Sequence, residues 1–271
     1  FPDPLLDVIN SQPNVCKQIH IPAQSGSTSM LKRMRRNHTR EAYITLIKHM
    51  RERIPGISLS SDFIAGFCDE TAPEHRDTVE LLKTVQYENA YLFAYSLREK
   101  THAHRRLNDN VPEDVKKTRL QELIDTYIKL QRVGVKLEKG RFHLVLIEGK
   151  SKRSDDDWNG RTDTNRTCII ADQDIPAQVD ANLVSSLTRS QVVLPNEDTP
   201  HHIDEKMIRE KMDQISTQNA VETNSMRPGD YVLVWVKDVS GQTLFCEPIG
   251  KTTIVEFSKM SHGAPWFTLK A

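Results

Sequence analysis

Apolar positions recur along the first half of the chain at two periods. Residues 17–23, 57–65 and 90–95 are short apolar or β-branched runs of strand length. Tyr43, Leu46, Ile47, Met50 and Ile54 within 40–54, and Val79, Leu82 and Val85 within 75–85, instead recur at the spacing of one helix face. The order strand, helix, strand, helix, strand predicts parallel pairing through right-handed crossovers. Three strands cannot close a barrel, so this half is expected to be the latter part of one.

A long helix follows. Val111-Pro112-Glu113-Asp114 places a proline near its first turn and acids against the positive end of its dipole, Leu120, Leu123, Ile124, Tyr127 and Ile128 form its apolar stripe, and Gly140 ends it. The period then changes to alternation. Residues 142–149, 166–171, 230–237 and 242–247 predict short strands separated by Gly, Asp and Asn turns, the pattern of a small β-barrel. Residues 172–227 are polar with little periodicity, only 202–214 hinting at a helix, and so long a segment within a barrel is expected to be a largely disordered surface insertion. The predicted organisation is thus an α/β domain over 1–138, a β-barrel over 139–250 interrupted at 172–226, and a tail over 251–271.

Composition narrows the class. The 271 residues are 37% hydrophobic and carry 37 Lys+Arg against 37 Asp+Glu, as befits a soluble globular protein. No apolar run reaches the length of a membrane span, and no membrane role is expected. Charge is uneven: residues 1–150 hold 24 basic and 19 acidic side chains, while 172–226 hold 4 and 10. Cys16, Cys68, Cys168 and Cys246 lie 52, 100 and 78 residues apart, no pair at the spacing of a zinc or cluster site, which predicts reduced thiols of an intracellular compartment. The first residues, Phe1-Pro2-Asp3-Pro4, lack an initiator Met and the layout of a signal peptide, so the sequence is expected to be part of a longer one.

Candidate chemistry gathers where the predicted strands end. Gln24, Ser25 and Gly26 follow the first strand, either as an ordinary strand-to-helix turn or as a ligand loop at the C-terminal rim. Ser61 and Asp62 lie in the second strand and Gly66 at its end. Asp62 needs a partner if buried, so it is either a structural ion-pair residue or a carboxylate aimed at a ligand hydroxyl or amine. Arg98 follows the third strand, a fixed-fork donor suited to a carboxylate or phosphate. Lys32-Arg33-Met34-Arg35-Arg36 is a basic run, either a solvated face or a contact for nucleic-acid phosphate. Arg161, Asn165 and Arg166, with Lys152 before them, are expected on a loop of the small barrel and suit RNA backbone or loop-base contacts.

These blocks resemble a known family in order and spacing. His20-Ile21-Pro22-Ala23-Gln24-Ser25-Gly26-Ser27 is similar to the HxPxQSGS segment of the radical S-adenosylmethionine (SAM) methylthiotransferases, the MiaB-type tRNA-modifying enzymes. Ser60-Ser61-Asp62-Phe63-Ile64-Ala65-Gly66-Phe67-Cys68-Asp69-Glu70-Thr71 is similar to their SSDFIVGFPGET, with Cys68-Asp69 in place of Pro-Gly. Tyr95-Ser96-Leu97-Arg98-Glu99-Lys100-Thr101 matches YSxRxGT with Lys100 in place of Gly, the basic run resembles MKRGHT, and Gly160-Arg161-Thr162-Asp163-Thr164-Asn165-Arg166 resembles the GRTxxNR element of the TRAM domain. The resemblance covers 16–171 and resumes over 227–248, and it lies nearest the branch acting on isopentenyladenosine, which includes an animal mitochondrial member.

The resemblance implies the C-terminal part of a radical SAM (β/α) barrel followed by a TRAM barrel. It implies SAM held by Gln24, Ser25, Gly26, Ser61, Asp62, Gly66 and Arg98, and a tRNA anticodon stem-loop contacted by Arg33, Arg35, Arg36, Lys152, Arg161, Asn165 and Arg166. The intact enzymes add a 2-methylthio group to N6-isopentenyladenosine beside the anticodon, using SAM and two [4Fe–4S] clusters, with the protein holding and orienting the cofactors. The C-x3-C-x2-C ligands of the radical-generating cluster do not occur in this sequence, no catalytic or metal-ligating residue is assigned within it, and the alternative is a non-catalytic RNA-binding or interaction scaffold. A mitochondrial location follows from the resemblance, a cytoplasmic one otherwise; no oligomeric state follows from the sequence.

Overall fold

The computed structural model describes residues 1–179, 210 and 223–261. Residues 1–7 with 18–134 form one compact unit, and residues 8–17 with 135 onward form a second. The helix hint over 202–214 lies outside the described residues, except for residue 210.

In the first unit, strands β1 (Gln18–His20), β2 (Ser58–Ala65) and β3 (Asn89–Ala94) make a parallel sheet in that order. Its helices are α1 (Asp3–Ser11), which runs on into the second unit, α2 (Thr28–Arg33), α3 (Arg40–Arg53), α4 (Ala72–Val85), α5 (His102–Arg106) and α6 (Glu113–Lys136), whose last two residues belong to the second unit. Helix starts follow side chains that satisfy free N–H groups: the Thr39 hydroxyl accepts from Ala42 N at 3.2 Å, and Thr71 with Glu74 forms a reciprocal capping box. That box starts α4 three residues before the apolar stripe predicts.

The two faces of this sheet differ. Leu59, Ser61, Phe63 and Ala65 of β2 are buried on one side, where the Phe63 ring meets Tyr87 edge-on at 5.4 Å; burial of such a ring contributes about 1.5–3 kcal/mol. On the other side the register aligns His20 with Ser60, Asp62 with Tyr91 and Ile64 with Phe93. There Tyr91 and Phe93 are 52% and 53% exposed.

The second unit contains a closed barrel in the order β10-β6-β5-β4-β9. Its strands are β4 (Phe142–Lys150), β5 (Asp157–Thr162), β6 (Thr167–Ala171), β9 (Tyr231–Ser240) and β10 (Thr243–Lys251), closed by parallel pairing of β10 with β6. Val145, Ile147, Cys168, Ile170, Val232, Val234, Val236 and Leu244 fill it. The strand β5 is absent from the sequence expectation, which reads Gly160–Arg166 as a loop; instead Gly160, Arg161 and Thr162 lie in the ladder, and only residues 163–166 turn. Gly160 is required there, because a Cβ would stand 2.5 Å from Val145 Cγ1 and 2.6 Å from Leu146 O.

The described ends of the expected insertion belong to this unit. β7 (Ile175–Pro176) pairs with β8 (Thr223–Asn224), and Ile175 and Met226 join the barrel core. Beyond the barrel, α7 (Ile254–Ser261) lies within the expected tail. No helix among the described residues is long and apolar enough to cross a membrane.

Candidate functional site

The loop after β1 turns its polar groups inward. Gln24 adopts φ 67°, donates its N–H to Asp62 O at 2.9 Å and accepts from Ile64 N at 3.0 Å, so its backbone extends the sheet beyond β1. The Ser25 hydroxyl lies 3.1 Å from Thr78 Oγ1, to which Gly26 N donates at 3.0 Å. A Cβ on Gly26 would stand 2.2 Å from Asp77 O, so this glycine lets the loop seat directly on α4. The SAM role expected of Ser25 and Gly26 therefore meets a structural one: their polar groups are spent on helix α4.

Ser61 is fully buried, and its Oγ accepts from Ala23 N at 2.9 Å. Asp62 points the opposite way, as the alternation of a strand requires. Its Oδ2 lies 3.4 Å from Nε2 of His20, whose Nδ1 lies 2.9 Å from Ser60 Oγ, and the Tyr91 ring stands edge-on to the imidazole at 6.1 Å. A serine, an imidazole and a carboxylate thus form a hydrogen-bonded row on the half-open sheet face, able to hold a ligand hydroxyl or amine and to fix its orientation. Sequence reasoning left out His20, Ser60 and Tyr91. The strand register brings them together: Tyr91 pairs with Asp62, Ser60 lies two residues before Asp62 in β2, and His20 pairs with Ser60.

Gly66 adopts φ 76° and donates its N–H to Glu70 Oε2 at 2.7 Å. An added Cβ would strike Lys116 Cγ at 2.4 Å. Lys116 is itself buried, its ammonium bonded to Asp109 at 2.8 Å and Glu113 at 2.7 Å. Arg98 is exposed in the loop after β3. Asp69 (φ 59°) and Lys100 (φ 66°) both take the left-handed conformation, at the two places where the resembling family commonly has glycine. Both positions thus hold the backbone conformation that glycine favours.

Of the basic run, Arg33 faces inward. It bonds Glu74 Oε1 at 3.0 Å and Oε2 at 3.3 Å and also reaches Cys68 O and Asp69 O. Burial works to raise the Glu74 pKa, but the Ser29 hydroxyl, the Thr71 N–H and the Arg33 guanidinium outweigh it and bring the pKa down to about 2. Lys32, Arg35 and Arg36 are exposed.

The barrel divides its basic residues in the same way. Arg166 is 9% exposed, with Nε 3.5 Å from Glu138 Oε1, so the RNA contact expected of it is replaced by an internal ion pair. Burial opposes ionisation of Glu138, yet His143, Arg141 and Arg166 hold its pKa at about 2. Arg161 is exposed and donates to Asn165 Oδ1 at 2.9 Å, and Asn165 turns the chain at φ 62°. Lys152 is exposed as well.

The thiols do not suit an iron–sulfur cube. Cys168 and Cys246 lie in the barrel core, where their mutual hydrogen bond and burial push the Cys168 thiol well above its ordinary pKa, whereas Cys68 is buried in the first unit. No group of three or more His, Cys, Asp or Glu able to hold a metal occurs among the described residues. For SAM the donor set is better suited: Asp62, positioned by His20, and Arg98 have polar atoms open to a ligand, while Ser25, Gly26, Ser61 and Gly66 shape the rim from within.

No family model matches the chain. Curated proteins do. The chain is 43% identical over 254 residues to "Mitochondrial tRNA methylthiotransferase CDK5RAP1" of Mus musculus, covering 94% of this chain and 37% of that protein. It is 43% identical over 258 residues to the Homo sapiens protein of the same name, covering 95% and 36%. It is 47% identical over 166 residues to "tRNA-2-methylthio-N(6)-dimethylallyladenosine synthase" of Chloroherpeton thalassium, covering 61% and 37%. The chain thus spans little more than a third of the length of these relatives.

Proposed function

This chain is a homologue of the C-terminal part of the tRNA methylthiotransferases, and on that premise we propose that it serves the 2-methylthiolation of N6-isopentenyladenosine beside the anticodon of tRNA. The observation that carries the reading is the 43% identity sustained over 94% of the chain. It is supported by the His20–Ser60–Asp62 row on the half-open face of a parallel sheet, with His20 at the carboxyl end of β1 and Ser60 and Asp62 within β2.

In this reading the parallel sheet is the latter part of a radical SAM barrel and the five-stranded barrel is a TRAM domain. SAM supplies the methyl group and, with a reducing cluster, the radical chemistry. Asp62 would accept hydrogen bonds from SAM hydroxyl or amine groups, its carboxylate held by His20 and His20 in turn by Ser60, and Arg98 would take a carboxylate. None of the four cysteines is assigned to a cluster, so no step is assigned to a cluster within this chain. Arg161, Asn165 and Lys152 offer RNA contacts at the barrel, with Arg166 and Glu138 bracing the turn that presents them. The location that accompanies this reading is mitochondrial.

Titration of the full chain with a labelled tRNA at several salt concentrations tests the RNA part. Binding that weakens steeply with salt, and Arg161→Ala reducing the slope by about one unit, is the expected result. Absence of binding even at ~50 mM salt, where phosphate contacts bind far more tightly than at ~200 mM, would refute it.

A further inference from the structure

Beyond the end of the parallel sheet, Met30, Phe67 and Cys68 are buried together, with Met34, Ile64, Tyr95, Ala103 and Leu107 packed against them. Met30 lies in α2 and Met34 caps it, while Ala103 lies in α5 and Leu107 caps that helix. Two short helices from distant parts of the sequence thus rest on one apolar cluster. Their outward sides are basic: Lys32, Arg35 and Arg36 are exposed at α2, and Arg105 and Arg106 at α5, with Arg98 and Lys100 in the turn before it.

None of these seven cations has an ion pair with a described residue, in contrast to Arg33 with Glu74 and Arg40 with Asp77. Within residues 30–37 and 98–107 the one acid is Glu99. The two helices act on the same space. Slight desolvation and then the charges of Arg35 and Arg106 lower the pKa of His102, so this exposed ring feels a guanidinium from each helix. Arg35 (φ 56°) and Lys100 (φ 66°) also hold left-handed backbone, at a cost of about 1 kcal/mol each for a residue with a Cβ. Unpaired cations over an apolar floor raise the local potential and draw a polyanion.

We propose that α2 and α5 together form one phosphate-contact surface for the backbone of the RNA substrate, with Arg35, Arg105 and Arg106 as its contacts. Lys32, Arg36, Arg98 and Lys100 flank it, and Arg33 stands outside it. This rests on the tRNA reading above and adds a second RNA contact, separate from the barrel, that the α5 segment makes and the basic run alone does not. Released counterions supply most of its affinity, so it positions RNA without reading sequence.

The test is titration of the full chain with a labelled anticodon stem-loop RNA across salt concentrations, comparing Arg35→Ala/Arg105→Ala/Arg106→Ala with Arg161→Ala and with the same three positions changed to Lys. The triple Ala change is expected to weaken binding more than tenfold and to lower the salt slope by about two to three units. The triple Lys change should restore most of the affinity, and thermal melting should be unchanged because all three side chains are exposed. If the triple Ala variant binds like the parent while Arg161→Ala weakens binding, the surface assigned here is wrong and the tRNA reading stands. If it loses binding to anionic lipid vesicles but keeps RNA binding, the occupant is wrong. If the unmodified chain binds no RNA, both fail.

Discussion

Asp62 and Glu74 show how the same residue type is put to opposite uses. Asp62 keeps an open carboxylate beside His20, whereas Glu74 is spent on Ser29, Thr71 and Arg33. If Asp62 holds SAM as proposed, Asp62→Asn is expected to weaken SAM affinity with little change in melting temperature, because the amide keeps the shape and removes the charge. A lowered melting temperature with unchanged affinity would make Asp62 a structural ion-pair residue. Glu74 predicts the reverse, a stability effect. Its folded pKa is about 2 against an ordinary 4.5, a depressed carboxylate. Its contribution is complete above the ordinary value and is lost as pH falls through 4.5 toward about 2. The shift corresponds to about 3 kcal/mol. Denaturant unfolding at pH 7 and pH 3 should show Glu74→Gln destabilised at pH 7 and less acid-sensitive than the parent; equal acid sensitivity would contradict the assignment. Residue type alone did not tell which polar groups face inward: Ser25, Ser61 and Arg33 looked like binding residues and are hydrogen-bonded within the fold, and Arg166 is ion-paired there.

At the scale of elements, what was legible was what is periodic. Helices α3 and α6 and strand β2 follow the apolar spacing because burial of one face or stripe decides them. Strand β5 was not legible, since Asp157–Thr162 has Trp158 as its one large apolar side chain and is held by ladder bonds on both sides. Helix α1 was also missed. It is short, it divides between the two units, and its Asp3 carboxylate is fastened to His49 and Arg53, residues distant in sequence. The small pairing of β7 with β8 joins segments far apart in the chain, beyond the reach of any local pattern. The tight fit at Gly160 yields a prediction for the barrel. Gly160→Ala should cost roughly 1–3 kcal/mol, because Leu146 O is backbone and cannot move aside without parting β4 from β5. Chemical denaturation monitored by tryptophan fluorescence measures this, with Trp158 and Trp235 both in the barrel strands; a change within about 0.5 kcal/mol would show that the strands relax freely.

For the molecule as a whole, two compact units each expose features the proposal draws on: a half-open sheet face carrying His20 and Asp62 beside Tyr91 and Phe93 in the first, and exposed cations on both. Sequence motifs in the right order were enough to suggest the kinship that 43% identity over 94% of the chain now supports. They could not show which of their residues face a ligand, because that depends on register and packing. The most direct measurement is mass spectrometry of nucleosides from tRNA of cells in which the gene encoding this chain is disrupted, with mitochondrial and cytosolic tRNA separated. Loss of 2-methylthio-N6-isopentenyladenosine from mitochondrial tRNA, with N6-isopentenyladenosine accumulating in its place, is the predicted result; unchanged 2-methylthio content in both fractions would contradict it.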